Sequence, residues 1–226
     1  MDSFAETTSR RRAHSLAVFG DSITEGAGAS RPARSWPALL ALTLGVPLVN
    51  KGLGGTVLQS TPVRDGRGGS GVSRFREDLL GDDRADCIAI LYGYNDARYA
   101  TDPARFNVGA FVRDYRVVLD GLLAAHVERE SICLGSPPYL PDAGLQLGSS
   151  GFTGQRRAGF EAYVDAVREL AREYSLFYAG VYEAMAARPD GSLASPDIIH
   201  PNDAGHQLIA EVFAAATREP RSCPGR

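Results

Sequence analysis

Lysine is almost absent from this 226-residue chain: Lys51 is the only one, and nearly all the remaining basic residues are arginine. Codon usage in a GC-rich genome explains that bias as well as any function does. The formal net charge is only −3, so there is no global electrostatic case for nucleic acid or for an anionic membrane. No apolar run approaches the roughly 18 residues that a membrane span needs. Cysteine is sparse: Cys87 and Cys133 lie inside apolar runs and Cys223 lies in the tail. No C-x-x-C spacing points to a metal site, and a small odd set fits a reducing compartment. None of Asn50, Asn95, Asn107 or Asn202 opens an N-x-Ser/Thr sequon. Nor is an export signal expected. Arg10-Arg11-Arg12 stands before an apolar run, but that run is too short for a signal's hydrophobic region. The expectation is a flexible arm over residues 1–14, one domain over 15–219, a tail over 220–226, and a cytoplasmic protein.

What is present is ordinary globular material. Hydrophobic residues make up 44% and charged residues 23%, enough apolar content for a substantial core at this length. Short apolar runs alternate with longer helical patterns. The runs predict strands over Leu16–Phe19, Pro47–Asn50, Cys87–Tyr92, Ile132–Gly135 and Leu176–Val181. Helices are predicted over Arg34–Leu44, Phe106–Val127, Thr153–Tyr174 and Ala204–Thr217. Phe111, Tyr115, Val118, Leu119, Leu122 and Leu123 recur at steps of three and four, as do Phe160, Tyr163, Val164, Val167 and Leu170. Such alternation implies an α/β fold with a mainly parallel sheet covered on both faces. Gln59–Gly71 and Pro137–Gly154 read as loops, each a candidate rim of a pocket or a plain surface connection.

One segment stands out. Phe19-Gly20-Asp21-Ser22-Ile23-Thr24 directly follows the first apolar run. A serine there sits at a strand end, where an α/β enzyme holds a nucleophile. In parallel sheets the ligand crevice lies outside the carboxyl ends of the strands. Gly93-Tyr94-Asn95-Asp96 follows the third strand and opens into the same crevice. A side-chain amide there can donate to a developing oxyanion, or simply make an Asx turn. Asn50-Lys51-Gly52-Leu53-Gly54-Gly55 follows the second strand, and its glycines can bring backbone N–H groups close to a ligand or serve only as a tight turn.

A serine nucleophile needs a base. Of the four histidines, His14 is in the arm and His126 ends a helix. His200 and His206 each follow an aspartate at i−3, Asp197 and Asp203. Spacing leaves both pairs open. Pro201 biases His200 away from helical geometry, so a turn can bring Asp197 to its ring and free Nε2 for Ser22. Asn202 or Asp203 is more simply an N-cap.

Together these blocks resemble the SGNH hydrolases of the GDSL esterase/lipase family. Gly20-Asp21-Ser22 resembles the first block, with Ile23 where the family name has leucine. Asn50 through Gly55 resembles the second, Gly93-x-Asn95-Asp96 the third, and Asp197-x-x-His200-Pro201 the last. The four blocks span nearly the whole chain in order. The resemblance implies a three-layer α/β/α sandwich, flavodoxin-like, with a mainly parallel five-stranded sheet. It implies a triad of Ser22, His200 and Asp197, and an oxyanion hole from the Ser22 and Gly55 N–H groups and the Asn95 amide. No metal or organic cofactor is implied, and the partner is a small-molecule ester.

Asp21 and Asp96 are expected to hold the loops around Ser22 and Asn95. Tyr94, Arg98, Tyr99, Pro138, Tyr139 and Leu140 are expected near the pocket, with Tyr94 beside the acyl or leaving group, or else packing the loops. An aromatic collar beside an arginine suits a carbohydrate acetyl ester, an aryl ester or an acyl thioester. The absence of a long apolar lid favours short acyl chains. Two rival classes remain. Asp21, Asn95, Asp96 and His200 are plausible ligands of a metal-dependent phosphoesterase, although no second histidine cluster supplies a two-metal site. A non-catalytic flavodoxin-like binding module would use the same segments as turns.

Overall fold

In the computed structural model, residues 15–60, 69–98, 107–148 and 152–218 are described. The arm at 1–14, the tail at 220–226, Tyr99 and the middle of the Gln59–Gly71 loop lie outside them. Five strands form one wholly parallel sheet: β1 (Leu16–Gly20), β2 (Leu48–Gly52), β3 (Cys87–Leu91), β4 (Ile132–Gly135) and β5 (Phe177–Ala179). Their order is β2-β1-β3-β4-β5. β1, β3 and β4 are buried along their whole length, as continuous apolar runs between helical layers should be. The edge strand β2 is only half-buried apart from an exposed Asn50.

The helices are α1 (Ser22–Glu25), α2 (Trp36–Leu44), α3 (Gly71–Leu80), α4 (Tyr94–Arg98), α5 (Val108–Ala124), α6 (Arg157–Glu173), α7 (Val181–Ala186) and α8 (Asp203–Ala216). They pack in two groups. α2 lies on α8, where Trp36 stacks on Phe213 with ring centres 4.8 Å apart. α5 packs on both α3 and α6, with Phe111 edge-on to Tyr163 at 5.1 Å. These groups sandwich the sheet in three layers, as the sequence implied. The four expected helices form as α2, α5, α6 and α8, with α8 beginning at Asp203, one residue before its expected start. α3 does not appear among the expectations, because its Gly-rich approach reads as loop.

The topology positions the site. From β1 the chain goes to β2 on one side, then crosses to β3 on the other. The crevice at such a reversal opens outside the carboxyl ends of β1 and β3. Gly20 is in register with both Gly52 and Leu91, so the three strand ends are level there.

Candidate active site

Asp21 leaves β1 in extended conformation and caps α1, its Oδ1 accepting the Ile23 N–H at 3.0 Å. Ser22 is therefore the first residue of a short helix, and its own N–H has no partner within the helix. The Ser22 carbonyl accepts from the N–H groups of Gly26 and Ala27 at 3.0 and 2.9 Å. The nucleophile candidate is thus held through its carbonyl by two backbone bonds, beside the Asp21 cap.

The Ser22 hydroxyl lies 3.0 Å from Nε2 of His200. On the far side of the ring, Nδ1 meets Oδ2 of Asp197 at 2.6 Å. The other Asp197 oxygen accepts from Ser195 Oγ at 2.7 Å and from the N–H groups of Ile199 and His200 at 2.9 Å each. Partial burial opposes the charge on Asp197, but these bonds outweigh it and hold the carboxyl well below the usual range. An ionised Asp197 accepts only, so the ring proton sits on Nδ1 and Nε2 is left to accept from Ser22.

The turn that achieves this is strained. Ile198 has φ +56°, a left-handed conformation that a β-branched residue rarely adopts. The turn lets one aspartate reach both the backbone and the ring three residues on.

The segment after β2 makes a tight turn from Leu53 to Thr56, with Gly55 at φ +76°. Such a position favours glycine in a type II turn. α4 grips the stretch from Thr56 to Gln59. Asn95 donates from Nδ2 to the Thr56 carbonyl at 2.9 Å, leaving that nitrogen's second hydrogen unused by this bond. Asp96 accepts the N–H groups of Leu58 and Gln59 at 3.0 and 2.9 Å. Asp114 on α5 adds the Ser60 N–H at 2.8 Å.

Burial pushes the Asp21 carboxyl up to about 7, helped by the nearby Asp96 charge and resisted by the Ile23 N–H and the cations of Arg98 and Arg74. Burial likewise raises Asp96 to about 6, against its two backbone donors. The described contacts of Asp21 are with α1, and those of Asp96 are with the stretch that follows the Gly55 turn. Among the described residues no three His, Cys, Asp or Glu side chains converge as ligands.

The expected pocket residues are distributed differently. Tyr94 is 2% exposed. Its hydroxyl donates to the Ile199 carbonyl, and its ring is edge-on to Phe160. Arg98 is buried over the Tyr94 ring and donates from Nε to the Leu147 carbonyl. Pro138 and Leu140 are buried. Tyr139 lines a small groove with Pro141, Met185 and Leu193, none of them a triad residue. Tyr94 and Arg98 thus make loop contacts, while Tyr139 faces that groove.

Two supports had no sequence expectation. Arg74 on α3 reaches under the site. One of its terminal nitrogens donates to the carbonyls of Gly20 and Lys51 at 2.9 Å each and to the Tyr92 hydroxyl at 2.7 Å. The guanidinium also stacks on Phe19, 4.4 Å from the ring centre. Asn50 accepts the Gly52 N–H and donates to the Thr24 carbonyl, joining β2 to α1. Phe75 and Leu79 at a four-residue step are the signal that could have revealed α3 and therefore Arg74.

The sequence profile of the GDSL-like lipase/acylhydrolase family matches residues 18–208. No curated protein sequence matches the chain. Among solved structures, the chain is similar to a lipase/acylhydrolase from Enterococcus faecalis. That match has 19% identity and a TM-score of 0.71, and covers 93% of this chain and 100% of the other. It is also similar to Axe2, an acetylxylan esterase from Geobacillus stearothermophilus, at 22% identity and a TM-score of 0.66, covering 92% and 95%. A third likeness is to LAE5, an α/β hydrolase enzyme from the metagenome of Lake Arreo, Spain. It has 24% identity and a TM-score of 0.60, and covers 90% and 94%. At these identities the structural likenesses speak for the fold.

Proposed function

The chain belongs to the GDSL-like lipase/acylhydrolase family, and from that premise we propose that it is a serine esterase acting on short-chain acyl esters through Ser22, His200 and Asp197. The reading is carried by one observation: an unbroken chain of contacts, 3.0 Å from Ser22 Oγ to His200 Nε2 and 2.6 Å from Nδ1 to Asp197. Ser22 Oγ attacks the ester carbonyl while His200 Nε2 takes its proton. Asp197 keeps the ring oriented and stabilises the imidazolium. The negative charge developing on the carbonyl oxygen is met by the N–H groups of Ser22 and Gly55 and the Asn95 amide. His200 then returns the proton to the departing alkoxide, leaving an acyl-Ser22 ester. Water, deprotonated by His200, hydrolyses it to the acid and free Ser22.

The short-acyl preference is supported by how little apolar surface is available. Among the described residues, the large hydrophobic side chains that are exposed are Leu42, Val117 and Leu147. Leu42 and Val117 lie on α2 and α5, and only Leu147 belongs to a loop at the strand ends. Labelling with a fluorophosphonate probe tests the mechanism: the wild type should label and Ser22→Ala should not. A p-nitrophenyl ester series from acetate to decanoate, with an acetylated xyloside as a further arm, tests the substrate. Rates should peak at acetate to butyrate, and a maximum at long chains overturns the short-acyl reading.

A further inference from the structure

The triad reading leaves the second Asp-x-x-His histidine, His206, without a task. It is fully buried, at 0% exposure. Both ring nitrogens face one stretch of chain. Nδ1 lies 3.2 Å from the backbone nitrogen of Trp36, and Nε2 lies 3.0 Å from the carbonyl oxygen of Ala27. The Trp36 N–H can only donate and the Ala27 carbonyl can only accept. The ring proton is therefore on Nε2. Only a neutral imidazole satisfies both partners, and burial lowers the pKa of this ring in keeping with that.

Ala27 is not an arbitrary anchor. Its own N–H donates to the Ser22 carbonyl at 2.9 Å, so His206 grips the nucleophile's backbone one link away. His206 itself belongs to α8, which starts three residues after His200. Two neighbouring contacts run the same way. Ser30 donates from both its N–H and its hydroxyl to the Asp203 carboxylate at 2.7 Å each. Gly28 lies so close to the base that a Cβ there would be 2.1 Å from the Pro201 oxygen and 2.9 Å from the His200 Cβ. The loop after the nucleophile helix is thus fastened onto the segment that carries the base.

We propose that His206 is a positioning residue that sets the distance between Ser22 and His200. The inference rests on the reading of Ser22 and His200 as nucleophile and base. Ser22 and His200 are 178 residues apart in sequence, so nothing local fixes their separation. A misplacement of about 1 Å at such a pair costs on the order of a hundredfold in rate.

Steady-state kinetics on p-nitrophenyl acetate test it, with His206→Leu, His206→Gln, the surface double variant Ser30→Ala/Asp203→Asn, and Ser22→Ala. Leucine fills the volume without a donor, whereas the glutamine amide can still donate to Ala27. His206→Leu should lower kcat roughly 10- to 100-fold with KM nearly unchanged, and His206→Gln should restore most of it. The double variant should lower kcat severalfold. A native kcat in folded His206→Leu overturns the proposal, as does a folded His206→Gln no better than leucine. If His206→Leu does not fold, His206→Asn, whose shorter amide falls short of Ala27, takes its place, and a native kcat in that folded variant overturns the proposal. Activity surviving in Ser22→Ala removes the triad reading and this inference with it. An inactive Ser22→Ala beside a native-like His206→Leu removes the inference alone.

Discussion

The Tyr94 hydroxyl donates to the backbone carbonyl of Ile199, joining the helix that carries Asn95 to the turn that carries His200. Burial pushes the Tyr94 phenol far above its usual range, so it stays a neutral donor. Tyr94→Phe keeps the ring and removes the bond. The expected result is a stability loss of about 1 kcal/mol by denaturant unfolding, with a fall in kcat and little change in KM. A change confined to KM would place Tyr94 on the substrate instead.

Asn95 holds the Thr56 carbonyl and, in the proposed mechanism, the oxyanion. Asn95→Ala should cost roughly 3–4 kcal/mol of transition-state stabilisation, read as kcat/KM on a short-chain p-nitrophenyl ester. The Thr56 bond alone is worth about 1 kcal/mol of stability. A variant with intact catalysis and only a lowered unfolding midpoint would make Asn95 a purely structural residue.

The sequence made the frame of the site legible where the signal was local. A strand followed by Gly-Asp-Ser, and a second followed by Gly-x-Asn-Asp, place two pieces of chemistry at one sheet edge because parallel strands end level. It was less informative where direction matters. Tyr94 and Asn95 are neighbours, but on a helix they point about 100° apart. The amide faces the Gly55 turn, and the tyrosine faces Ile199 and Phe160. Tyr139 follows a strand end too, yet the loop delivers it to a groove beside Met185. The roles of Arg74 and His206 depend on contacts 18 to 54 and 170 to 179 residues away in sequence, which no periodicity encodes.

Ile198 is held at φ +56° by its turn, with its N–H on the Ser195 carbonyl and Asp197 on the two residues after it. A left-handed conformation costs a non-glycine residue roughly 1–2 kcal/mol. Glycine escapes that cost but loses about 0.5–1 kcal/mol through its freer unfolded chain. Ile198→Gly should therefore leave the unfolding free energy within about 1 kcal/mol of wild type. Truncating the fully buried Ile209 to alanine should cost about 2–5 kcal/mol. Calorimetry on the two variants checks the contrast, and an equal loss in both would mean that Ile198 acts through packing rather than backbone strain.

Asp21 gives the molecule a pH dependence whose sign can be worked out. Its carboxyl is fully buried, Oδ1 takes the Ile23 N–H, and Oδ2 finds no hydrogen-bond partner among the described residues. Desolvation therefore favours the protonated acid, raising the pKa from 3.8 to about 7. Between those values the folded protein holds a proton that the unfolded chain has released. The stabilising contribution is complete below the unfolded value and is lost as pH rises through about 7. From pH 5 to pH 8 the loss from this group is about 2–3 kcal/mol. Asp96, raised to about 6, adds in the same direction. Asp197, held low, acts oppositely and costs stability only as pH falls below the normal carboxylate range. Asp21→Asn mimics the neutral acid and cannot titrate. Denaturation midpoints at pH 5, 6, 7 and 8 should show the variant gaining on wild type from pH 5 to about 7 and the gain levelling off by pH 8. Parallel curves for the two proteins would mean that Asp21 is ionised throughout, and that the partnerless oxygen is solvated in a way that burial does not reflect.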